Sequence, residues 1–357
     1  HKREPITPVR TSFVQSVDFP VVLQNVGTVT AYNTVNVLSQ ISGKLVKILF
    51  KEGQEVKAGS LLAVVDPRPY TIALEQAKAS ILETKALLKN ADIDLRRYKG
   101  LFNLKSIAKQ TLDTQQALVD QYHATLDTNQ ADINSAKLNL EYTNIRAPIS
   151  GQVGIRQVDL GNFVSNSDTT PLVVITQLSP ISLVFTLPES HLPEIIKQFK
   201  VDKNSLKVEA WTGDNKKIIS TGTLESIDSA IDADTGTIKL KARFENKNET
   251  LYPNQFVNVH LYVKTLEKSM LVPNEAIQYS PKGPFVYTVD SENKRKTVHL
   301  THIKQGLNNN KYTVIDEGLS VGDQIVTEGT DHLKDNGFIR IVEPKKTDDS
   351  TTLPVAK

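Results

Sequence analysis

The chain has 357 residues, enough for two to four domains, and its 39% hydrophobic content suits several modest cores better than one large one. Charged residues make up 23% and the formal net charge is +2, so neither a nucleic-acid binder nor a disordered acidic tail is indicated. There is no Cys, which removes disulfides, thiolate metal sites and Cys nucleophiles together, and no apolar run reaches the roughly eighteen residues a bilayer span needs. Numbering that starts at His1 without a Met reads as a processed soluble part, from which a signal or anchor has been removed.

From Val9 to Val37 the sequence is rich in Val and Thr and predicts strands. Next comes ISGKLVKILFKEGQEV from Ile41, and a second version, ISGQVGIRQVDLGNFV, begins at Ile149. Ile, Ser, Gly, a further Gly and a Val recur at one constant offset, pairing Gly43 with Gly151, Gly53 with Gly161 and Val56 with Val164. Two such β units must meet to bury their apolar faces, so whatever lies between them leaves the domain and returns. The glycines are expected at tight turns that require positive φ, Gly43 and Gly151 included. Asp66-Pro67-Arg68-Pro69 then closes the strands and opens a helix, with Asp66 as its cap.

Two helical segments follow. Leu74, Ala77, Ile81, Thr84, Leu88, Ala91, Leu95, Tyr98 and Phe102 alternate at three- and four-residue spacing. So do Leu112, Gln115, Val119, Tyr122, Leu126, Asn129, Ile133, Ala136, Leu140 and Thr143. Each run lasts about four heptads, the pattern of a coiled coil. A turn near residues 103–107 joins them, giving an antiparallel hairpin whose arms are each about 50 Å long. A dimerising coiled coil is the plain alternative; the matched arm lengths between paired half-motifs favour pairing within one chain. Between Leu95 and Leu112 stand Arg96, Arg97, Lys99, Lys105 and Lys109 with no acidic residue. That tip reads either as an incidentally charged turn or as an electropositive end that docks on an acidic or carbonyl-rich rim.

Beyond the second half-motif, ISLVFTL alternates from Ile181, ESHLPEIIKQF predicts a short helix, and strand–turn units from Leu206 to Val263 predict a small antiparallel barrel or sandwich. A last β region spans Leu271 to Val342, and the polar tail from Pro344 predicts disorder. No phosphate loop, nucleophile elbow or His-Glu-x-x-His is present, so no catalytic residue is assigned and the chain is read as no enzyme. Asp228 and Asp232-Ala233-Asp234 read as a β-loop, and the scattered histidines, His299 and His302 among them, as surface residues. With one Met and no Cys, no soft-metal site is assigned. The half-motifs also suit a lipoyl or biotinyl carrier, but such a carrier needs an acceptor Lys on the turn between its halves. Here a helical hairpin replaces that turn, and no Lys lies between Leu61 and Tyr70.

The ISG at 41–43, PISG at 148–151, VFTLPES at 184–190, DADTGTIKLKARFEN at 232–246, LYPNQFVNV at 251–259 and GLSVGDQIVTEGTDHL at 318–333 resemble, in that order, the periplasmic adaptors, or membrane fusion proteins, of resistance–nodulation–division (RND) multidrug efflux pumps. The resemblance runs from about Val9 to Glu343. It implies a mainly β chain with a long coiled-coil hairpin and a nested, out-and-back topology. The expected modules are a membrane-proximal β domain (1–17 and 268–343), a β-barrel (18–36 and 177–267), a split lipoyl-like domain (37–66 and 144–176) and the α-hairpin (67–143). It also implies a hexameric ring that joins an inner-membrane RND transporter to a TolC-like outer-membrane channel, without cofactor, and a periplasmic site anchored through an N-terminal segment this sequence does not contain. Adaptors of ABC-type or metal-ion exporters are the alternative. The family's tip motif is Arg, three residues, Leu, six residues, Ser. Arg97 and Leu101 match it, Ala108 replaces the Ser, and Lys105 completes the expected channel-docking tip. Pro253-Asn254 stands where Pro-Gly is frequent, and Asn tolerates the left-handed conformation such a turn needs.

Overall fold

The computed structural model describes residues 6–201, 206–290 and 295–342; His1 and the tail from residue 344, expected above to be disordered, lie outside the described residues. The chain divides into two compact units, one comprising residues 29–182 and 244–255, the other residues 1–28, 183–243 and 256–357.

The first of these units holds both half-motifs and the hairpin. Two four-stranded antiparallel sheets make its β body. One runs Thr34–Val37, Val173–Thr176, Gly151–Val153, Glu55–Val56; the other runs Asn144–Arg146, Leu61–Val65, Gly43–Ile48, Phe163–Val164. The half-motifs do not fold side by side; they exchange strands. Gly43 pairs with Val164, and at the equivalent place of the other copy Gly151 pairs with Val56. The backbone repeats the exchange. Gly53 N–H donates to the Val153 carbonyl (2.8 Å) and Val153 N–H to Gln54 (2.8 Å); Gly161 N–H donates to Leu45 (2.9 Å) and Leu45 N–H to Asn162 (2.8 Å). Every second residue of these strands then turns inward, so Leu45, Val56, Leu62, Val65, Val153, Val164 and Ile175 form one buried core drawn from both copies.

The four glycines of the repeat divide into two kinds. Gly53 (φ 77°) and Gly161 (φ 90°) are left-handed, with open space where a side chain would go. Gly43 and Gly151 are not among the positive-φ residues, so the turn expected at each is absent. They open strands, and what they require is the missing Cβ. A Cβ on Gly43 would stand 2.7 Å from Val65 Cγ1, and one on Gly151 would stand 2.6 Å from the Thr176 carbonyl oxygen. Close approach, rather than backbone freedom, makes these two positions glycine.

Helix α1 spans Arg68–Asn103 and α2 spans Lys109–Tyr142. The N-cap of α1 is Pro67; Asp66 accepts instead from the Arg68 N–H (3.1 Å) and from its guanidinium (2.6 Å to Nη2), which pulls the Asp66 carboxyl down to about 2. The inward residues of α1 are Ile81, Thr84, Leu88, Ala91 and Leu95, those of α2 Val119, Ile133 and Ala136, all on the three–four seam. The polar seam positions pair across the arms. Asn129 Nδ2 donates to Thr84 Oγ1 (2.7 Å) and to the Ser80 carbonyl (3.2 Å), and Gln115 Nε2 donates to the Ala91 carbonyl (3.0 Å). A sliding hairpin would strand these groups, so they fix the antiparallel register at some cost in apolar contact.

In the other unit six strands close into a barrel: Lys207–Trp211, Ile218–Ile227, Thr237–Phe244, Ile181–Pro188, Gln15–Ala31 and Phe256–Pro273, the last pairing back onto the first. Leu183, Phe185, Leu187, Val208, Ala210, Leu224, Leu240, Val259 and Leu261 are buried along them. The expected short helix is a 3-10 turn at Glu189–His191 that leads into α3, Leu192–Val201, which buries Ile195. The other sheet of this unit sets Thr7–Phe13 antiparallel to Gln324–Glu328 and parallel to Ile339–Ile341, so the early and late ends of the chain share it. Asn254, in the turn before the long strand, is left-handed at φ 66°.

Gly151→Ala is expected to destabilise this fold by about 1–3 kcal/mol, because the carbonyl it meets belongs to a paired strand that cannot yield. Gly53→Ala meets open space and is expected to cost only about 1 kcal/mol, the price of a left-handed Ala. Chemical denaturation of both variants checks the order; equal losses, or a larger loss at Gly53, would contradict it.

Candidate functional site

The distal end of the hairpin is built by the stop of α1 and the start of α2. Helix α1 ends on a left-handed residue in the usual C-terminal manner, but that residue is Lys105 (φ 58°) rather than Gly. Ser106 N–H donates to the Leu101 carbonyl (2.9 Å), Lys105 N–H to Phe102 (2.9 Å) and Leu104 N–H to Gly100 (3.2 Å), so the last turn has its carbonyls satisfied and is held in one shape. Ala108 then takes the N-cap of α2 in an extended conformation (φ −72°, ψ 148°) and, having no side-chain oxygen, leaves the first N–H groups of that helix without a side-chain partner. Only a backbone contact from Thr111 N–H to the Ala108 carbonyl (3.1 Å) closes this end. A Ser at 108 would supply that missing cap.

Arg97 and Leu101 lie one turn apart on α1, while Lys105 and Ala108 lie in the connection. Arg97 is exposed and its Nη1 donates to Asp94 Oδ1 at 3.1 Å, an exposed i,i+3 pair of small energetic weight that pre-orients the guanidinium. The basic stretch read from the sequence opens at Leu95, one residue after this carboxylate. Leu101 is half-buried, whereas Leu104 is 75% exposed and is the most exposed large apolar side chain of the hairpin among the described residues. Sequence reading did not single out Leu104, which lies off the three–four seam.

Several polar groups elsewhere are committed internally. In the barrel, the buried Glu209 carboxylate accepts from Lys207 Nζ (2.9 Å), Tyr262 OH (2.9 Å) and Trp211 Nε1 (3.0 Å). Burial pushes its pKa up, but the three donors outweigh burial and hold it below the usual carboxylate range. The Tyr262 hydroxyl is pushed up to about 12, by burial first and by Glu209 second. His260, lowered by burial, stacks on Trp211 with centroids 4.6 Å apart. Lys207 and Trp211 lie on Glu209's own strand and Tyr262 on the paired one, so the cluster braces Lys207–Trp211 against Phe256–Pro273. Asp232 likewise accepts from the N–H groups of Asp234 (3.0 Å) and Thr235 (3.3 Å), which makes it a turn-former. His299 is exposed, 3.6 Å from Asp290 and 3.8 Å from Asp335. Among the described residues no three His, Cys, Asp or Glu converge in a way that could hold a metal ion.

A split, strand-exchanged β body carrying a helical hairpin, with a closed barrel and a further β sheet after it, is the architecture of an efflux adaptor. Three domain profiles of one family match the chain in order: "RND MFP, barrel-sandwich hybrid domain" at residues 33–176, "RND MFPs, beta-barrel domain" at 180–265 and "RND MFPs, C-terminal permuted SH3 domain" at 268–332. The chain belongs to the RND membrane fusion proteins. It is 44% identical over 347 residues to multidrug resistance protein MdtA of Yersinia pestis (strain Pestoides F), covering 96% of this chain and 78% of that protein. It is also 44% identical over 343 residues to MdtA of Photorhabdus laumondii, covering 96% and 84%. Among solved structures, MacA of Actinobacillus actinomycetemcomitans shares the fold at TM-score 0.57 and 23% identity, covering 89% of this chain and 99% of that one. A MacA–MexA chimera carrying the Pseudomonas aeruginosa MexA α-hairpin gives TM-score 0.58 at 25% identity, covering 86% and 96%.

Ala108→Ser is expected to stabilise the start of α2, and Lys105→Gly the end of α1, each by about 0.5–1 kcal/mol. Guanidinium denaturation followed by far-UV circular dichroism measures both; a destabilised variant at either position would mean that the tip is held by side-chain contacts rather than by its caps.

Proposed function

We propose that the chain is a periplasmic adaptor of multidrug efflux that links an inner-membrane RND proton-driven transporter to a TolC-like outer-membrane channel. The observation that carries this reading is the ordered match of the family's three domains together with 44% identity to MdtA over 96% of the chain. Adaptors of ABC-type and metal-ion exporters are less well supported: the family matched is that of RND pumps, and the described residues bring no metal ligands together. The work of such a protein is recognition and conformational transmission, without covalent chemistry. The filled hydrogen bonds around Glu209 and Asp232 support a non-catalytic role.

In the finer reading, the chain divides into the four modules set out from its sequence, copies of it assemble as a hexameric ring, and an N-terminal anchor holds it to the inner membrane. The hairpin tip is the channel-docking surface, with Arg97, Leu101, Lys105 and Ala108 its contact residues. What supports this is the physics of the tip: a rigidly capped helix end, five cations within one short stretch, and a guanidinium able to donate several hydrogen bonds to carbonyls or carboxylates. Charge of this kind raises encounter rate and selectivity more than affinity.

Arg97→Asp and Leu101→Asp are each expected to lower drug resistance about tenfold or more, since either puts a carboxylate where an acidic or carbonyl-rich rim must approach. Minimum inhibitory concentrations in a strain lacking the chromosomal copy, with adaptor levels checked by immunoblot, measure this. Normal resistance from both variants at normal levels would remove tip docking through this face.

A further inference from the structure

The last turns of α1 contain a glycine that nothing inside the molecule explains. Gly100 lies within the helix, where Gly is the poorest former after Pro, and it is not in a positive-φ conformation that would demand it. A Cβ built on it meets nothing within 4 Å, so no neighbouring element needs the space. This contrasts with Gly43 and Gly151, where a Cβ collides with the protein's own atoms. One turn further along the same face stands Leu104, whose N–H donates to the Gly100 carbonyl and whose side chain is 75% exposed. Arg97 precedes Gly100 by three residues on that face, and Lys105 follows Leu104 directly. The result is a bare notch beside an apolar knob, flanked by cations, held by a helix stop whose backbone hydrogen bonds are made.

We propose that Gly100 and Leu104 form a notch-and-knob seat for an α-helical end of the outer-membrane channel, one that lays its backbone or a bulky side chain against Gly100 and carries acidic or carbonyl groups toward Arg97 and Lys105. Two features define this occupant. The missing Cβ matters only to a surface that approaches closely, as helices do where small residues let their backbones meet. Residues 92–113 carry five cations against three carboxylates, Asp92, Asp94 and Asp113, all at the edges of the stretch, and that excess favours an electronegative partner. This seat rests on the reading of the tip as the channel-docking surface and adds two residues to it that differ from the motif positions Arg97, Leu101 and Ala108.

The test separates docking from folding because the two should move in opposite directions. Gly100→Ala replaces a poor helix former by the best one and is expected to raise the melting temperature by about 2 °C. It fills the notch, however, and is expected to lower resistance about tenfold. Leu104→Ser is expected to leave the melting temperature unchanged and to lower resistance to a similar degree. Because the chain has no Cys, Leu104→Cys bearing a benzophenone maleimide gives a single photo-crosslinking position in cells that express the pump and channel; its adduct is expected to be the channel protein. Normal resistance from both Gly100→Ala and Leu104→Ser overturns the seat. Arg97→Asp, run alongside, then tells the two failures apart: if it abolishes resistance the tip still docks without this seat, and if it too is tolerated the tip reading itself falls.

Discussion

The exchange of strands between the two half-motifs is the constraint from which the rest of this chain's organisation follows. Gly43 completes its pairing on Val164 and Gly151 on Val56, so neither copy can close a sheet from its own residues. The buried set of Leu45, Val65, Val153 and Ile175 exists only when both are present. Anything inserted between the copies must therefore begin and end at the same β body, which is what two helices of similar length joined by a short connection achieve. Loop-closure entropy grows slowly with length, so a long insertion is tolerated provided it pairs with itself. Thr84 with Asn129, and Gln115 with the Ala91 carbonyl, supply that self-pairing and its register.

The tip inherits its rigidity from the same arrangement. Hydrogen bonds from Leu104, Lys105 and Ser106 to the last carbonyls of α1 fix the connection even though its left-handed residue is Lys. A surface fixed in this way loses little conformational entropy on meeting a partner. The start of α2 is the weaker side, since Ala108 offers no cap. The tip is thus firmer on α1, where Arg97, Gly100, Leu101 and Leu104 lie, than on α2.

Much of this was legible in the sequence because its signals were periodic. The repeat located the β body, and the three–four spacing named the residues that face inward, from Ile81 to Leu95 and from Val119 to Ala136. What could not be read were contacts made across long separations. Gly43 and Gly151 look like turn glycines in a linear text, and only the approach of Val65 and of the Thr176 carbonyl reveals that they are there for space. Asp94 escaped because a stretch counted from Leu95 stops short of the residue that pairs with Arg97. Asp66 looked like a helix cap and instead holds the first N–H and the side chain of Arg68, with Pro67 taking the cap position. Leu104 was overlooked because apolar residues off the seam carry no periodic mark, and its exposure depends on where α1 stops.

Amide hydrogen exchange across the two half-motifs, measured with Leu45→Ala beside the unaltered chain, tests the interlock most directly. Leu45 is fully buried, and its loss should cost about 2–5 kcal/mol in the shared core. If the copies form one cooperative body, peptides covering residues 43–65 and those covering 147–176 should speed up by the same factor, because the amides of Gly53, Val153, Leu45 and Gly161 are bonded across the exchange. Faster exchange confined to residues 43–65, with 147–176 still protected as before, would show that each copy folds alone and would contradict the strand exchange as the organising constraint.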